Sequence, residues 1–149
     1  VKALTILQPW ASLIAGGAKR IETRSWYTPY RGPIAIHAGK RLTPDVREWL
    51  AEDDELAVDL WMGGLGMSAD ALPLGCVLAT ATLTHCVRFE RGAAERIRTS
   101  GKYPEHETAY GDFAAGRFGW VLADVVPLPD PIPARGQQGL WEWEGNADG

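Results

Sequence analysis

Residues 7–39 read LQPWASLIAGGAKRIETRSWYTPYRGPIAIHAG and hold Gln8, Trp10, Lys19, Glu22, Arg24, Trp26, Arg31 and His37. The segment starts at the end of a strand, Ala3–Leu7 (ALTIL). Pro9 then suits the first turn of a helix, where its missing N–H costs nothing. Trp10, Leu13, Ile14 and Gly17 follow at helical spacing, and Gly16-Gly17 ends the helix, so the pattern predicts a short amphipathic helix laid on a sheet. From Arg20 to Arg24 the residues alternate as in a strand, with Ile21 and Thr23 on one side and Arg20, Glu22 and Arg24 on the other. Three charged groups on one face line a surface or a cleft, because long charged side chains bury poorly unless paired. Turn signals at Thr28-Pro29 and Arg31-Gly32 separate this strand from a buried one, Pro33–Ala38.

Outward from this stretch, Thr43-Pro44 reads as the cap and first turn of a second helix with Val46, Trp49 and Leu50 inward. Asp53–Pro73 is acidic and then glycine-rich, and reads as an inserted, partly mobile segment. Leu74–Thr84 (LGCVLATATLT) is the clearest strand of the chain. Phe118–Val126 is another, and Leu140–Trp143 closes the sheet. Between them, Glu90–Gly116 is polar and mixes a helix with loops. The alternation of strands and excursions predicts an α+β fold, a small mixed sheet curled into a partly closed barrel and flanked by short helices. No repeat, low-complexity tract or linker interrupts the 149 residues, so 1–149 reads as one domain.

Composition narrows the function. The formal net charge of −4 argues against coating duplex DNA by bulk charge. Charge is nevertheless polarised: Lys19 to Arg41 is basic, whereas Asp45 to Asp59 is acidic and reads as a solvated helix face. Seven tryptophans place indoles at a surface or cleft as well as in the core. Cys76 and Cys86 flank one strand, about 30 Å apart if extended, which excludes a disulfide and points to reduced thiols in the cytoplasm. Cys76, His85 and Cys86 do not make a zinc site, and no metal or other cofactor is called for. No apolar run reaches the length of a membrane span. Walker loops, dinucleotide fingerprints and Ser-His-Asp order are missing from the sequence.

The ordered blocks Leu4-Thr5-Ile6, Gln8-Pro9-Trp10-Ala11, Gly17-Ala18-Lys19, Glu22-Thr23-Arg24, Trp26, Arg31-Gly32 and Ile36-His37-Ala38 resemble the activating-signal-cointegrator homology (ASCH) domains of the PUA-like superfamily. Leu74-Gly75-Cys76-Val77, Gly116-Arg117-Phe118-Gly119-Trp120, Pro131-Ile132-Pro133 and Gln137-Gln138-Gly139-Leu140-Trp141 continue the resemblance through nearly the whole chain. It implies a small β-barrel with a cleft beside the first helix and the Gly-x-Lys-x-x-Glu-x-Arg strand. It also implies RNA, single-stranded nucleic acid or nucleoside-type ligands, by analogy with PUA domains. Some much smaller relatives are amidohydrolases acting on acetylated cytidine nucleosides, with a Lys, a Thr and a Glu as catalytic residues. Lys19 matches the Lys, Glu22 stands at the Thr position, and no acid stands in the Leu74–Thr84 strand.

Each candidate carries two readings. Lys19 and Glu22 are the catalytic pair of a hydrolase acting on an acylated nucleoside, or simply an ion pair. Arg24 and Arg31 grip phosphate or tie loops. Trp26 stacks a base or packs under the Tyr27–Tyr30 turn. Gln8 reads a base edge or satisfies free N–H groups of the helix. Trp10 is core or a ligand platform, and His37 is a core histidine bonded to a carbonyl or a general base. Arg117 enters the cleft or pairs with Asp112, and Gln138 belongs to a closing loop beside the ligand. His85 and His106 have no matching constellation. A protein-interaction module using exposed tryptophans and the acidic helix is the third functional class.

Overall fold

The computed structural model describes residues 1–64 and 68–145. Its strands are β1 (Lys2–Ile6), β2 (Ile21–Arg24), β3 (Gly32–Ala38), β4 (Cys76–Arg88), β5 (Phe118–Pro133) and β6 (Leu140–Glu142). Its helices are α1 (Trp10–Ala15), α2 (Pro44–Glu52), α3 (Asp54–Met62) and α4 (Ala93–Ser100), with single 3-10 turns at Ala69–Ala71 and Glu107–Tyr110. The strands form one six-stranded sheet in the order β2-β5-β4-β3-β1-β6. β1 and β3 run parallel, and the other pairs are antiparallel. Register shifts interrupt β3–β4 once and β4–β5 three times. Each extra residue bends its strand and sharpens the twist, which curls the sheet into a half-barrel. The predicted α+β class and curled mixed sheet are therefore present.

β3 is buried from Ile34 to Ala38, as its mostly apolar run requires of a strand covered on both faces, and the one polar side chain there, His37, is hydrogen-bonded. On the face of the sheet that α1 covers, Leu4, Ile6, Ile34, Ile36, Leu83, Trp120 and Leu122 form the main core with Ala11 and Ile14 of that helix. α1 is covered more completely than an amphipathic pattern predicts: Ala11 through Ala15 are all buried, and only Trp10 at its start is half-exposed. A second layer explains this. Leu13 turns away from the sheet into a core made with Val46, Leu50, Leu56, Leu60, Leu72 and Tyr110.

That second layer also corrects the reading of Asp53–Pro73 as an insert. Asp53 caps α3, accepting from the Leu56 N–H at 3.1 Å and from the indole N–H of Trp49 at 2.8 Å. The Trp49 bond holds its carboxyl below the usual aspartate range. The acidic surface of α3 conceals an apolar pair, Leu56 and Leu60, one helical turn apart. The glycine-rich run Met62–Met67 falls partly outside the described residues. Thr43 caps α2 as its sequence predicts, accepting from the Val46 N–H.

β2 is the edge strand that carries the charged residues, paired through Glu22 opposite Trp120 and Arg24 opposite Phe118. Ile21 points into a separate core with Phe89, Ala93 and Phe113. Gly119 of β5 makes this possible, because a Cβ there would lie 2.5 Å from the Phe89 ring. Cys76 and Cys86 are both free and buried. Among the described residues no helix is long and apolar enough to cross a membrane.

Candidate functional site

A cleft of about 580 Å³ opens between the end of β1, the start of α1, β2 and the 3-10 turn at Glu107–Tyr110. Trp10, Glu22, Arg24, Trp26 and Arg117 line it, joined by Thr5, Trp49, Tyr110 and Asp112. Five of the sequence candidates thus meet in one concavity.

Its floor is an ion-pair chain. Lys19 is wholly buried, and its ammonium donates to the carbonyls of Ile21 at 2.5 Å and Tyr110 at 2.7 Å. Its Nζ also stands 3.7 Å from Glu22 Oε1. Burial pulls the lysine below its ordinary pKa, while Glu22 and Glu107 oppose that pull. Two carbonyls and one carboxylate call for three N–H donors, which only the ammonium form supplies. Glu22 in turn accepts from Arg24 Nε at 3.1 Å and from its own neighbour's backbone, the Thr23 N–H, at 3.2 Å. Arg24 Nη2 lies 2.9 Å from Glu22 Oε2 and donates to the Thr5 carbonyl at 2.8 Å, so the guanidinium bridges β2 to β1. Arg24 Nη1 has no protein acceptor among the described residues, and Arg24 lines the cleft.

The walls are aromatic and polar. Trp26 is 36% exposed and stands edge-on to the buried Trp120, ring centroids 4.7 Å apart. Trp10 packs on Trp49, which packs on Tyr110, with centroid distances of 5.6 and 6.2 Å. Arg117 both enters the cleft and pairs with Asp112, donating to its carbonyl at 3.2 Å with the carboxylate at 3.5 Å.

The remaining candidates lie elsewhere. Gln8 is buried, and its amide accepts from the Ser12 N–H and donates to the Ser12 hydroxyl and the Pro73 carbonyl. Its hydrogen bonds are thus spent inside the protein, satisfying a free N–H of α1. Arg31 donates to the carbonyls of Thr28 and Tyr30 and lies over the Tyr27 ring, tying its own loop. His37 and Gln138 line a second cavity, described below. His37 Nε2 faces the Ala134 carbonyl at 2.7 Å, an acceptor only, so that nitrogen carries the proton. Its Nδ1 then accepts from the Thr5 hydroxyl at 3.1 Å, and that hydroxyl accepts from the Trp141 N–H at 3.1 Å.

Two groups escaped the sequence reading. Glu107 is buried and its carboxylate accepts from the backbone N–H groups of Arg20 and Ile21 at 2.6 and 3.3 Å, clamping the entry to β2. Burial raises its pKa. His106, expected to stand alone, is held by α3: its Nδ1 lies 2.8 Å from Asp59 and its Nε2 3.0 Å from Glu55. Tyr110 donates its hydroxyl to the same Asp59 carboxylate. Asp59 is therefore not part of a simply solvated face. No sequence signal marks Glu107; for His106 the only hint was the acidic run it finds across space.

The family described as the ASCH domain matches residues 4–125. The chain is 41% identical over 87 residues to activating signal cointegrator 1 of Mus musculus, and 37% identical over 84 residues to that of Homo sapiens. Each alignment covers 56% of this chain and only 14% of the cointegrator. Among solved structures, ASCH from Zymomonas mobilis matches with a TM-score of 0.55 at 16% identity, over 96% of this chain and 87% of that one. A mutant form of the Zymomonas protein matches with a TM-score of 0.54 at 16% identity, over 99% of this chain and 91% of that one. At that identity the likeness is one of fold. The sequence match, spanning most of the chain and the residues that build the cleft, places this protein in the ASCH domain family.

Proposed function

We propose that this domain binds RNA, single-stranded nucleic acid or a nucleoside-type ligand in the cleft between α1 and β2. The observation that carries the reading is the exposed indole of Trp26 in the same cavity as two guanidiniums, Arg24 and Arg117. A base stacks on an indole at about 1–3 kcal/mol, and a guanidinium edge suits phosphate oxygens or base acceptors. Glu22 and Asp112 supply acceptors for exocyclic amines or ribose hydroxyls. The volume lies within the range of small-molecule sites. The ASCH resemblance points the same way, as an analogy of fold. Titration with nucleosides and short single-stranded RNAs tests the reading. Binding should weaken at least about tenfold in Arg24→Ala, the size of one charge-assisted hydrogen bond. Equal affinity of wild type and variant counts against it.

A second reading, a small amidohydrolase acting on an acylated nucleoside, is favoured by one observation: a buried Lys19 beside the Glu22 carboxylate. It ranks lower because Lys19 spends its donors on protein carbonyls and has no exposed surface. Undiminished turnover by Lys19→Ala would remove it.

A further inference from the structure

A second concavity of about 810 Å³ lies on the other side of the β1 exit. Thr5 and Leu7 line both cavities, so the two are adjoining chambers with one shared ridge. Their electrostatics differ. The first chamber balances Glu22 and Asp112 against Arg24 and Arg117. The second contains Lys40, Arg41 and Arg135 and no carboxylate. All three cations are exposed, and none is ion-paired among the described residues.

Packing preserves the second chamber. At Gly136 a Cβ would lie 2.7 Å from His37 Cε1 and 2.8 Å from Thr5 Oγ1, so only glycine lets the Ala134–Gln138 loop sit this close. The His37 ring fixes the same loop through the Ala134 carbonyl. The loop that carries Arg135 is thereby held opposite Lys40 and Arg41, which follow directly from β3.

Resting on the reading of the first cavity as a base-binding cleft, we infer that the second is a phosphodiester track for the same single strand. One base enters the neutral aromatic chamber, and the backbone crosses the Thr5–Leu7 ridge into the groove of Lys40, Arg41 and Arg135. Net acidity of the whole chain then coexists with polyanion binding, because the attraction is confined to one groove. Bases select and phosphates add affinity, in separate chambers.

The test compares uridine with a short single-stranded oligouridylate on the full chain, across a salt series, for wild type and the triple variant Lys40→Gln, Arg41→Gln, Arg135→Gln. Wild type should bind the oligonucleotide more tightly than uridine and with a steeper salt dependence. The triple variant should keep its uridine affinity and lower the slope of log affinity against log salt by about 2, at roughly 0.7 per phosphate contact on a single strand. The charge-conserving variant Lys40→Arg, Arg41→Lys, Arg135→Lys should restore most of the slope. An unchanged slope in the triple variant, or uridine and oligonucleotide weakened equally, overturns the track while leaving the cleft. Loss of both ligands in Trp26→Ala with no effect of the triple variant has the same consequence. If wild type binds neither ligand, the cleft reading falls and the track with it. Preference for phosphatidylserine vesicles over the oligonucleotide overturns the track in favour of a membrane surface.

Discussion

Lys19 Nζ and Glu22 Oε1 lie 3.7 Å apart beneath the cleft, the lysine with no exposed side-chain surface and the glutamate with one-tenth of its own. Taking two charges out of water costs several kcal/mol each, and the cost is met here by neighbouring groups rather than by the pair alone. The Ile21 and Tyr110 carbonyls complete the lysine's shell, and Arg24 completes the glutamate's. β2, the helix turn at Tyr110 and β1 are thus joined by charge through the floor of the site.

Breaking that chain at one end should be costly. Lys19→Met leaves Glu22 without its buried partner and orphans two carbonyls, so equilibrium unfolding in urea should show a loss of about 3–5 kcal/mol. Lys19→Met with Glu22→Gln should lose less than the two single variants added together, because the residues share one network.

Trp26 should behave in the opposite way. Its ring is partly exposed and meets Trp120 only at an edge. Trp26→Ala should therefore leave folding nearly intact but weaken nucleoside binding by about 1–3 kcal/mol, read by calorimetric titration. Loss of stability with affinity unchanged would reassign the indole to packing.

The buried amide of Gln8 gives a purely structural prediction. Gln8→Leu leaves the Pro73 carbonyl and the Ser12 N–H without their partner, at about 1–3 kcal/mol for a buried group left unsatisfied. The thermal midpoint should fall, and the loop before β4 should exchange its amide hydrogens faster.

His106 gives the domain a pH dependence of known sign. Its hydrogen bond to Asp59 raises its pKa above the ordinary 6.5, so the imidazolium is bound more tightly by the folded state. That stabilisation is complete below about pH 6.5 and is lost as pH rises through the folded value. Melting curves of wild type and His106→Gln should differ most in mild acid and converge at alkaline pH. A gap that widens with pH would refute the assignment.

Much of this was legible in residues 7–39, because strand and helix periodicities there are local. Alternation along Arg20–Arg24 announced a charged face; Glu22 and Arg24 of it line the cleft, whereas Arg20 reaches away to the Lys102 carbonyl and the Tyr103 ring. Gln8 remained open between two roles, since its deciding partner, Pro73, is 65 residues away in the chain. Glu107 and Tyr110 were invisible as site residues because single turns carry no periodicity, and Asp112 showed only as a candidate partner of Arg117. The Asp53–Pro73 stretch misled for a different reason: its acids dominate the composition, while Leu56, Leu60 and Leu72, which do the packing, are only three residues. Charge told where water is; the sparse apolar spacing told where the core is.

The position of β1 makes closure of the sheet a long-range event. β1 lies between β3 and β6, and the Trp143 N–H donates to the Val1 carbonyl beyond the last paired residue. Thr5, near the end of β1, accepts a hydrogen bond from the Trp141 indole N–H and donates one to His37. The two neighbours of β1, β3 and β6, stand far apart in the sequence. Pairing of β1 with β6 therefore has to bring together distant parts of the sequence, a non-local closure that is intrinsically slower than the pairing of neighbouring strands.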